Sequence, residues 1–427
     1  MAVRDGYKQT EVGVIPEDWK VVEFGDIVNY IKGFGFKSSE YTTSGTRIIR
    51  VSDTTYSSIK DDNPVYILCT DNCSYKKWML RENDLIFSTV GSKPPMYDSL
   101  VGKVILVTEK HEKCLLNQNA VLIRVKEYSD LIQKLLLNHF KTERYINYIE
   151  TIFRGNANQA SITLKDLFRY TIPLPLTKSE QESIAEALSD ADGLIESMEQ
   201  LIAKKRQVKQ GAMQELLRPT LEWESTNLSE IADPRQKWSF TGGPFGSNLK
   251  SIDYTDEGVR IIQLQNIGDG KFKNDYEIYT SHQKADELIS CNIYPGDIIL
   301  SKMGDPVARA CIIPCYHKRY LMCSDGIRLK VDQKKFNAYF IYTIINALEF
   351  RTKASNAGTG STRKRIGLSE LRNLDLFCPS INEQTAIATI LSDMDAEITK
   401  LETKLSKARK IKAGMMQELL TGRIRLV

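Results

Sequence analysis

Between Ile184 and Ile202, apolar residues recur at alternating steps of four and three: Ile184, Leu188, Ala191, Ile195, Met198 and Ile202. The same rhythm returns in Ile387, Leu391, Met394, Ile398, Leu401 and Leu405. This is the spacing of a coiled-coil seam. It predicts two long helices, each about 40 residues or roughly 60 Å. Each opens just after a proline, Pro175 or Pro379, with a capping-box pattern, Thr177-x-x-Glu180 or Ser380-x-x-Glu383. Ahead of each helix lie short apolar runs bounded by turn residues, which predict strands.

The two helices are copies. Glu180 to Leu217 aligns with Glu383 to Leu420 without a gap, about half the positions are identical, and both end in Met-Gln-Glu-Leu-Leu. The copying reaches beyond the helices. Gly45 to Val51 matches Gly258 to Leu264, and Asp84 to Ser88 matches Asp297 to Ser301. Asp18-Trp19 matches Glu222-Trp223, and Leu164-x-x-Leu167 matches Leu368-x-x-Leu371. The chain is one unit written twice, a strand-rich globular part followed by a helix. The boundaries fall at 1–175 and 176–218 for the first copy, and at 219–379 and 380–427 for the second.

The second globular part begins where the first helix ends and finishes where the second begins. Parallel helices would force it to span roughly 60 Å. An antiparallel pair lets it start and finish at one end, relates the copies by a pseudo-two-fold axis, and brings the chain termini together. The expected architecture is α+β: two pseudo-symmetric globular domains separated by an antiparallel pair of long helices.

A length of 427 residues suits two or three domains, and 42% hydrophobic with 26% charged residues is ordinary for a soluble protein. No apolar run reaches membrane-spanning length and the start is polar, so a cytoplasmic chain is expected. Eight cysteines without a framework fit a reducing compartment. A net charge of +4 leaves room only for local basic surface.

Catalytic motifs are scarce. Asp62-Asn63-Pro64-Val65-Tyr66 approaches the motif with which adenine methyltransferases hold a flipped base. Val65 replaces its second proline, and no glycine-rich cofactor loop precedes it. There is no phosphate-binding loop for a motor domain. Cys311, Cys315, His317 and Cys323 form the one zinc-like cluster. Cys311 sits in an apolar run and the first copy has no equivalent, so no metal is expected.

The opening Thr10-Glu11-Val12-Gly13-Val14-Ile15-Pro16-Glu17-Asp18-Trp19, the Glu-Gln-x-x-Ile-Ala helix starts, the Met-Gln-Glu-Leu-Leu helix ends and Gly296-Asp297-Ile298-Ile299 carry a resemblance. The chain resembles the specificity subunits of Type I restriction–modification systems over nearly its whole length. Asn83 stands where the first copy would have the glycine of that last motif. The resemblance implies a non-catalytic DNA-binding subunit of a phage-defence complex. Each globular domain would read one half of a bipartite target in double-stranded DNA, and the helices would set the spacing and dock methyltransferase subunits. Restriction and motor subunits would complete the complex. S-adenosylmethionine would then belong to the methyltransferase partner, ATP and Mg to the motor partner, and no cofactor to this chain. A recognition subunit of a related multisubunit restriction system, a divergent methyltransferase or nuclease, and a protein-binding scaffold remain as alternatives.

Glycine-rich polar loops with basic residues are the candidate DNA contacts, because amides, Lys and Arg hold phosphates while Asn, Gln and Arg read base edges. In the second copy this is Asn356 to Arg365, with Thr359, Ser361, Arg363, Lys364 and Arg365. In the first it is Arg154 to Ser161, with Arg154, Asn156, Asn158 and Gln159. Further candidates are Lys37, Lys93 and Tyr97 in the first copy and Asn248, Lys250, Lys302 and Arg309 in the second. The basic residues late in the helices, Lys204, Lys205, Arg206 and Lys209 with Lys407, Arg409, Lys410 and Lys412, serve helix dipoles or dock partners or spacer DNA.

Overall fold

A computed structural model of the chain describes residues 4–68, 74–93, 96–127, 129–156, 159–360 and 364–427. The chain forms two compact units, 1–200 with 403–427, and 201–402. The two long helices run Lys178–Leu216 and Ile381–Leu419, each 39 residues. They lie within the 176–218 and 380–427 segments, and the second ends short of 427. Each helix gives one half to each unit.

In the first unit, Ile184, Ala185 and Leu188 share a core with Leu419 and Leu420. In the second, Ile387, Ala388 and Leu391 share one with Met213, Leu216 and Leu217. The start of one helix packs with the end of the other in both units, so the pair is antiparallel. These cores also contain the domain residues Trp19 and Tyr170, or Trp223 and Phe340. The opening turns of each helix therefore rest on their own domain as well as on the other helix. Farther along, Ile202, Ile398 and Leu405 are buried, while Ile195, Met198, Met394 and Leu401 are half-buried.

Several basic residues late in the helices pair with acids of the other helix. Lys209 pairs with Asp395 and Arg206 with Glu402 in the second unit, each at 2.5 Å. Lys412 pairs with Asp192 and Arg409 with Glu199 in the first, again at 2.5 Å. A shift of 203 positions, which takes Glu180 to Glu383, converts the first set into the second. These four side chains join the two helices at matching places. Such surface pairs contribute at most about 1 kcal/mol each.

Each unit holds the same four-stranded antiparallel sheet. In the first its order is Val28–Lys32, Ala120–Val125, Leu85–Ser88, Val104–Leu106. In the second it is Phe240–Gly242, Gly326–Leu329, Ile298–Ser301, Ala310–Ile312. The centre of the sheet is buried on both faces, as its continuous apolar runs require. Side chains alternate between faces. Leu85 and Phe87 enter the core shared with the helices, and Ile86 enters a second, smaller core. Ile298 and Leu300 divide from Ile299 in the same way. The smaller core is covered by another sheet in each unit. Thr46–Ile49 runs parallel to Leu115–Leu116 and antiparallel to Val65–Ile67. Val259–Ile262 does the same with Tyr320–Met322 and Ile278–Thr280.

Asp84 and Asp297 cap the turns before their strands, accepting from the backbone of Arg81 at 2.7 Å and of Tyr294 at 3.0 Å. Each also binds an arginine of the neighbouring strand, Arg124 at 2.6 Å and Arg328 at 2.7 Å. The Asn83 departure has a backbone reason. Gly296 has φ +83° and Asn83 φ +62°, and Asn tolerates the left-handed region better than other side chains.

The capping boxes are only half made. Thr177 and Ser380 accept from the Glu180 and Glu383 amides at 3.3 and 3.4 Å. The glutamate side chains do not return to the cap. They accept from indole N–H groups instead, Trp19 to Glu180 at 3.3 Å and Trp223 to Glu383 at 3.2 Å. The matched tryptophans thus lock each domain to its helix.

Among the described residues, no strand pair leads into Trp223 as one leads into Trp19. A hairpin of Tyr7–Thr10 and Gly13–Pro16 precedes Trp19. Its Tyr7 hydroxyl donates to the Gly422 carbonyl at 3.0 Å, joining the two ends of the chain as the antiparallel arrangement requires.

Candidate nucleic-acid interface

The antiparallel sheet brings four strand ends to one edge in each domain: counted in chain order, the ends of its first and second strands and the starts of its third and fourth. Nearly all the predicted contacts leave from this edge.

In the first domain, Gly33 follows the first strand. A side chain there would lie 1.8 Å from the Asn117 carbonyl, so only glycine lets the chain turn out toward Phe36 and Lys37. Gly243 holds the same place in the second domain, 1.7 Å from the Cys323 carbonyl, and leads to Asn248 and Lys250. Lys37, Asn248 and Lys250 are exposed, and Phe36 is buried.

The Arg154 and Asn356 segments were expected as loops, and this is corrected. Arg154–Asn156 and Gln159–Ser161 form a hairpin whose second strand pairs with Val90–Gly91. In the second domain Thr359 bridges to Arg365, and Arg365 to Met303. The anchoring bonds are equivalent. Ile162 donates to the Thr89 carbonyl at 3.0 Å, and Ile366 to the Lys302 carbonyl at 2.9 Å. Each domain therefore carries a hairpin arm fixed to the sheet edge. Asn158, Ser361 and Arg363 lie outside the described residues.

Four basic side chains gather on the second edge. Arg365 pairs with Asp325 at 2.6 Å, and Lys364 donates to the Ser355 hydroxyl at 2.8 Å. Both remain exposed. Lys302 is half-buried and donates to the Ser324 carbonyl at 3.3 Å. Burial, then the neighbouring Arg365, hold its ammonium below the ordinary lysine value. The Arg309 Nε is buried without a hydrogen-bond partner among the described residues, and a side chain on Gly304 would approach its guanidinium to 3.2 Å.

The first edge has a different character. Arg154 pairs with Asp166 at 3.1 Å and is largely exposed, as is Asn156. Lys93 and Tyr97 lie on the loop after Val90–Gly91. The Tyr97 ring meets Tyr56 at 5.6 Å, and the Lys141 ammonium sits 4.0 Å from the Tyr56 ring. Lys103 was missed. It is buried, donates to the Thr54 carbonyl at 2.6 Å and also to Asp98, and so ties down the Tyr97 loop. Burial lowers it to about 8. Asp325 was missed too, although its place before the apolar Gly326–Leu329 strand marked it as an edge residue.

Of the other candidates, Cys323 lies at the second edge, beside Gly243. Cys311 is buried in its strand and Cys315 is exposed. No group of three His, Cys, Asp or Glu among the described residues is arranged to hold a metal. Asp62 and Asn63 form an exposed turn whose Asn63 has φ +50°. No helix among the described residues is long and apolar enough to cross a membrane.

The sequence matches the family described as the Type I restriction modification DNA specificity domain twice, over residues 16–205 and 246–408. A putative type I restriction enzyme MjaX specificity subunit of Methanocaldococcus jannaschii is 28% identical, covering 99% of this chain and 97% of its own. The MjaVIII specificity subunit of the same organism is 21% identical over 99% and 96%. In fold, the chain resembles the crystal structure of a Type-I restriction-modification S subunit from M. genitalium. The TM-score is 0.60 at 16% identity, covering 98% of both chains.

Proposed function

Since the chain belongs to the Type I restriction modification DNA specificity family, we propose that its two sheet edges each read one half of a bipartite site in double-stranded DNA. The observation that carries this is the repeated edge. The same strand order, the same forced glycine and the same anchored hairpin present different polar side chains in the two domains. A shared frame with unlike contents is what two different half-sites need.

The reading includes a division of labour. This chain does no chemistry, holds no cofactor and works in the cytoplasm. Methyltransferase subunits bring S-adenosylmethionine, and restriction and motor subunits bring ATP and Mg. Leu201 and Val208 support methyltransferase docking. They lie seven apart on the first long helix and are exposed, an apolar stripe suited to a partner helix.

Exchange of the segment from Trp223 to Pro379 for that of a relative with another target tests the reading. Methylation sequencing is expected to show one half of the site changed and the other retained. A change in both halves, or in neither, defeats the assignment of one domain to one half.

The hairpin arm gives a second expectation. Replacing Arg363, Lys364 and Arg365 with Ala in the assembled methyltransferase removes the cations that would neutralise phosphates there. The slope of log affinity against log salt is expected to shallow by about 0.9 for each phosphate no longer neutralised. An unchanged slope and affinity would move the phosphate-binding role to Lys302 and Arg309.

A further inference from the structure

The stretch that follows the forced glycine differs in length between the two domains. A shift of 213 positions takes Lys37 to Lys250 and Gly45 to Gly258. Three residues lie between Gly33 and Lys37, and six between Gly243 and Lys250. The second domain therefore carries three extra residues at its edge.

In the first domain the aromatic side chains of this stretch serve the fold. Phe36 is buried in a small core, and Phe34 packs on the rings of Phe36 at 5.0 Å and Trp78 at 4.4 Å. In the second domain Leu249 takes the place of Phe36 and packs against the outer core. Phe245 falls in the longer part of the stretch and is 82% exposed.

A built turn holds it there. Pro244 is buried and has a fixed φ, and the Asn248 amide donates to the Phe245 carbonyl at 2.8 Å. The next residue, Gly246, has no reason internal to the fold. A side chain there would meet nothing within 4 Å, and its φ lies outside the left-handed region. Bare backbone beside an exposed ring leaves room for another molecule to approach closely.

Cations flank the turn. The Lys302 ammonium lies 2.7 Å from where a side chain on Gly242 would stand, one residue before the forced glycine. Lys250 is exposed at the other end. Lys302 also donates to the Ser324 carbonyl, next to the Asp325 that Arg365 neutralises. An apolar ring between cations suits a polyanion with apolar faces. In a nucleic acid the phosphates meet the cations and a base step admits the ring.

We propose that Phe245 is a wedge, whose ring enters the base stack of the half-site held at the second edge and parts one base step there. This rests on the reading of that edge as a DNA surface. The matching loop of the first domain presents no such ring, because Phe34 and Phe36 are packed.

The test uses the assembled methyltransferase on its own target, with 2-aminopurine placed in turn at each position of both half-sites. Fluorescence is expected to rise at one step of the half-site read by the second domain, apart from the methylated adenine, which brightens when it is extruded. Phe245→Ala is expected to abolish that rise alone, and Phe245→Leu to keep part of it. Affinity is expected to fall about tenfold in Phe245→Ala, the scale of losing one stacked base. The slope of log affinity against log salt is expected to stay the same, because no phosphate contact is lost. Crosslinks from 5-iodouracil, mapped on the unaltered chain, locate the duplex separately. Crosslinks at 243–250 without a brightened step, or with one that Phe245→Ala leaves unchanged, overturn the wedge and leave the edge as a DNA surface. Crosslinks only elsewhere on the chain overturn both. Loss of methyltransferase co-purification in Phe245→Ala would make the ring a protein contact and also overturn the wedge.

Discussion

Arg425→Met is expected to destabilise the first unit by about 3–5 kcal/mol, the usual cost of removing one partner of a buried ion pair. Arg425 reaches Glu180 and Asp18, both at 2.8 Å. Glu180 is 1% exposed and, among the described residues, would keep only the Trp19 indole as a side-chain partner. The loss is expected as faster hydrogen exchange over 178–190 and a lower urea midpoint for that region. Adding Glu180→Met removes the stranded charge and is expected to recover most of the loss; no recovery would mean that the tail acts by packing alone. Acid gives the sign. The hydrogen bond from Arg425 holds Asp18 below the usual carboxylate value, against the opposing effect of burial. That stability is complete above the unfolded carboxylate value and fades as pH falls through the folded one. The gap between native chain and variant should therefore narrow below about pH 4.

The helix seam gives the other large effect. Ile202 and Ile398 are 4% and 5% exposed. Replacing both with Asp buries charge without a partner, at several kcal/mol. Circular dichroism is expected to show helix loss, and methyltransferase is expected to stop co-purifying. Lys412→Ala breaks an ion pair in the same helices, yet should shift stability by no more than about 1 kcal/mol. Equal effects would mean that the charged pairs, and not the apolar seam, hold the helices.

Much of this architecture was legible because duplication writes every signal twice. The heptad rhythm at Ile184 and Ile387, the matched tryptophans and the matched strands each confirmed the other. What stayed hidden depends on side chains meeting across long sequence separations. Nothing local to Glu180 says that its carboxylate leaves the cap for Trp19. Nothing near Lys209 names Asp395. The arms at Arg154 and Thr359 looked like loops because Gly155 and Gly360 break the pattern. Both have φ near +100°, and there the glycines shape a hairpin that the distant edge strand completes. Lys93 and Lys302 were candidates in the two copies, and the backbone puts Thr89, not Lys93, in the place of Lys302.

The strand Leu85–Ser88 has a consequence for how target preference can change. Its neighbouring side chains answer to different interiors, Phe87 to the helix side and Ile86 to the outer lobe. Mutational load is therefore partitioned within a single strand. Drift in the outer lobe can reshape the arms and loops at the sheet edge while the packing that sustains assembly is left alone. A lineage can thus explore new binding preferences without first losing its place in the complex.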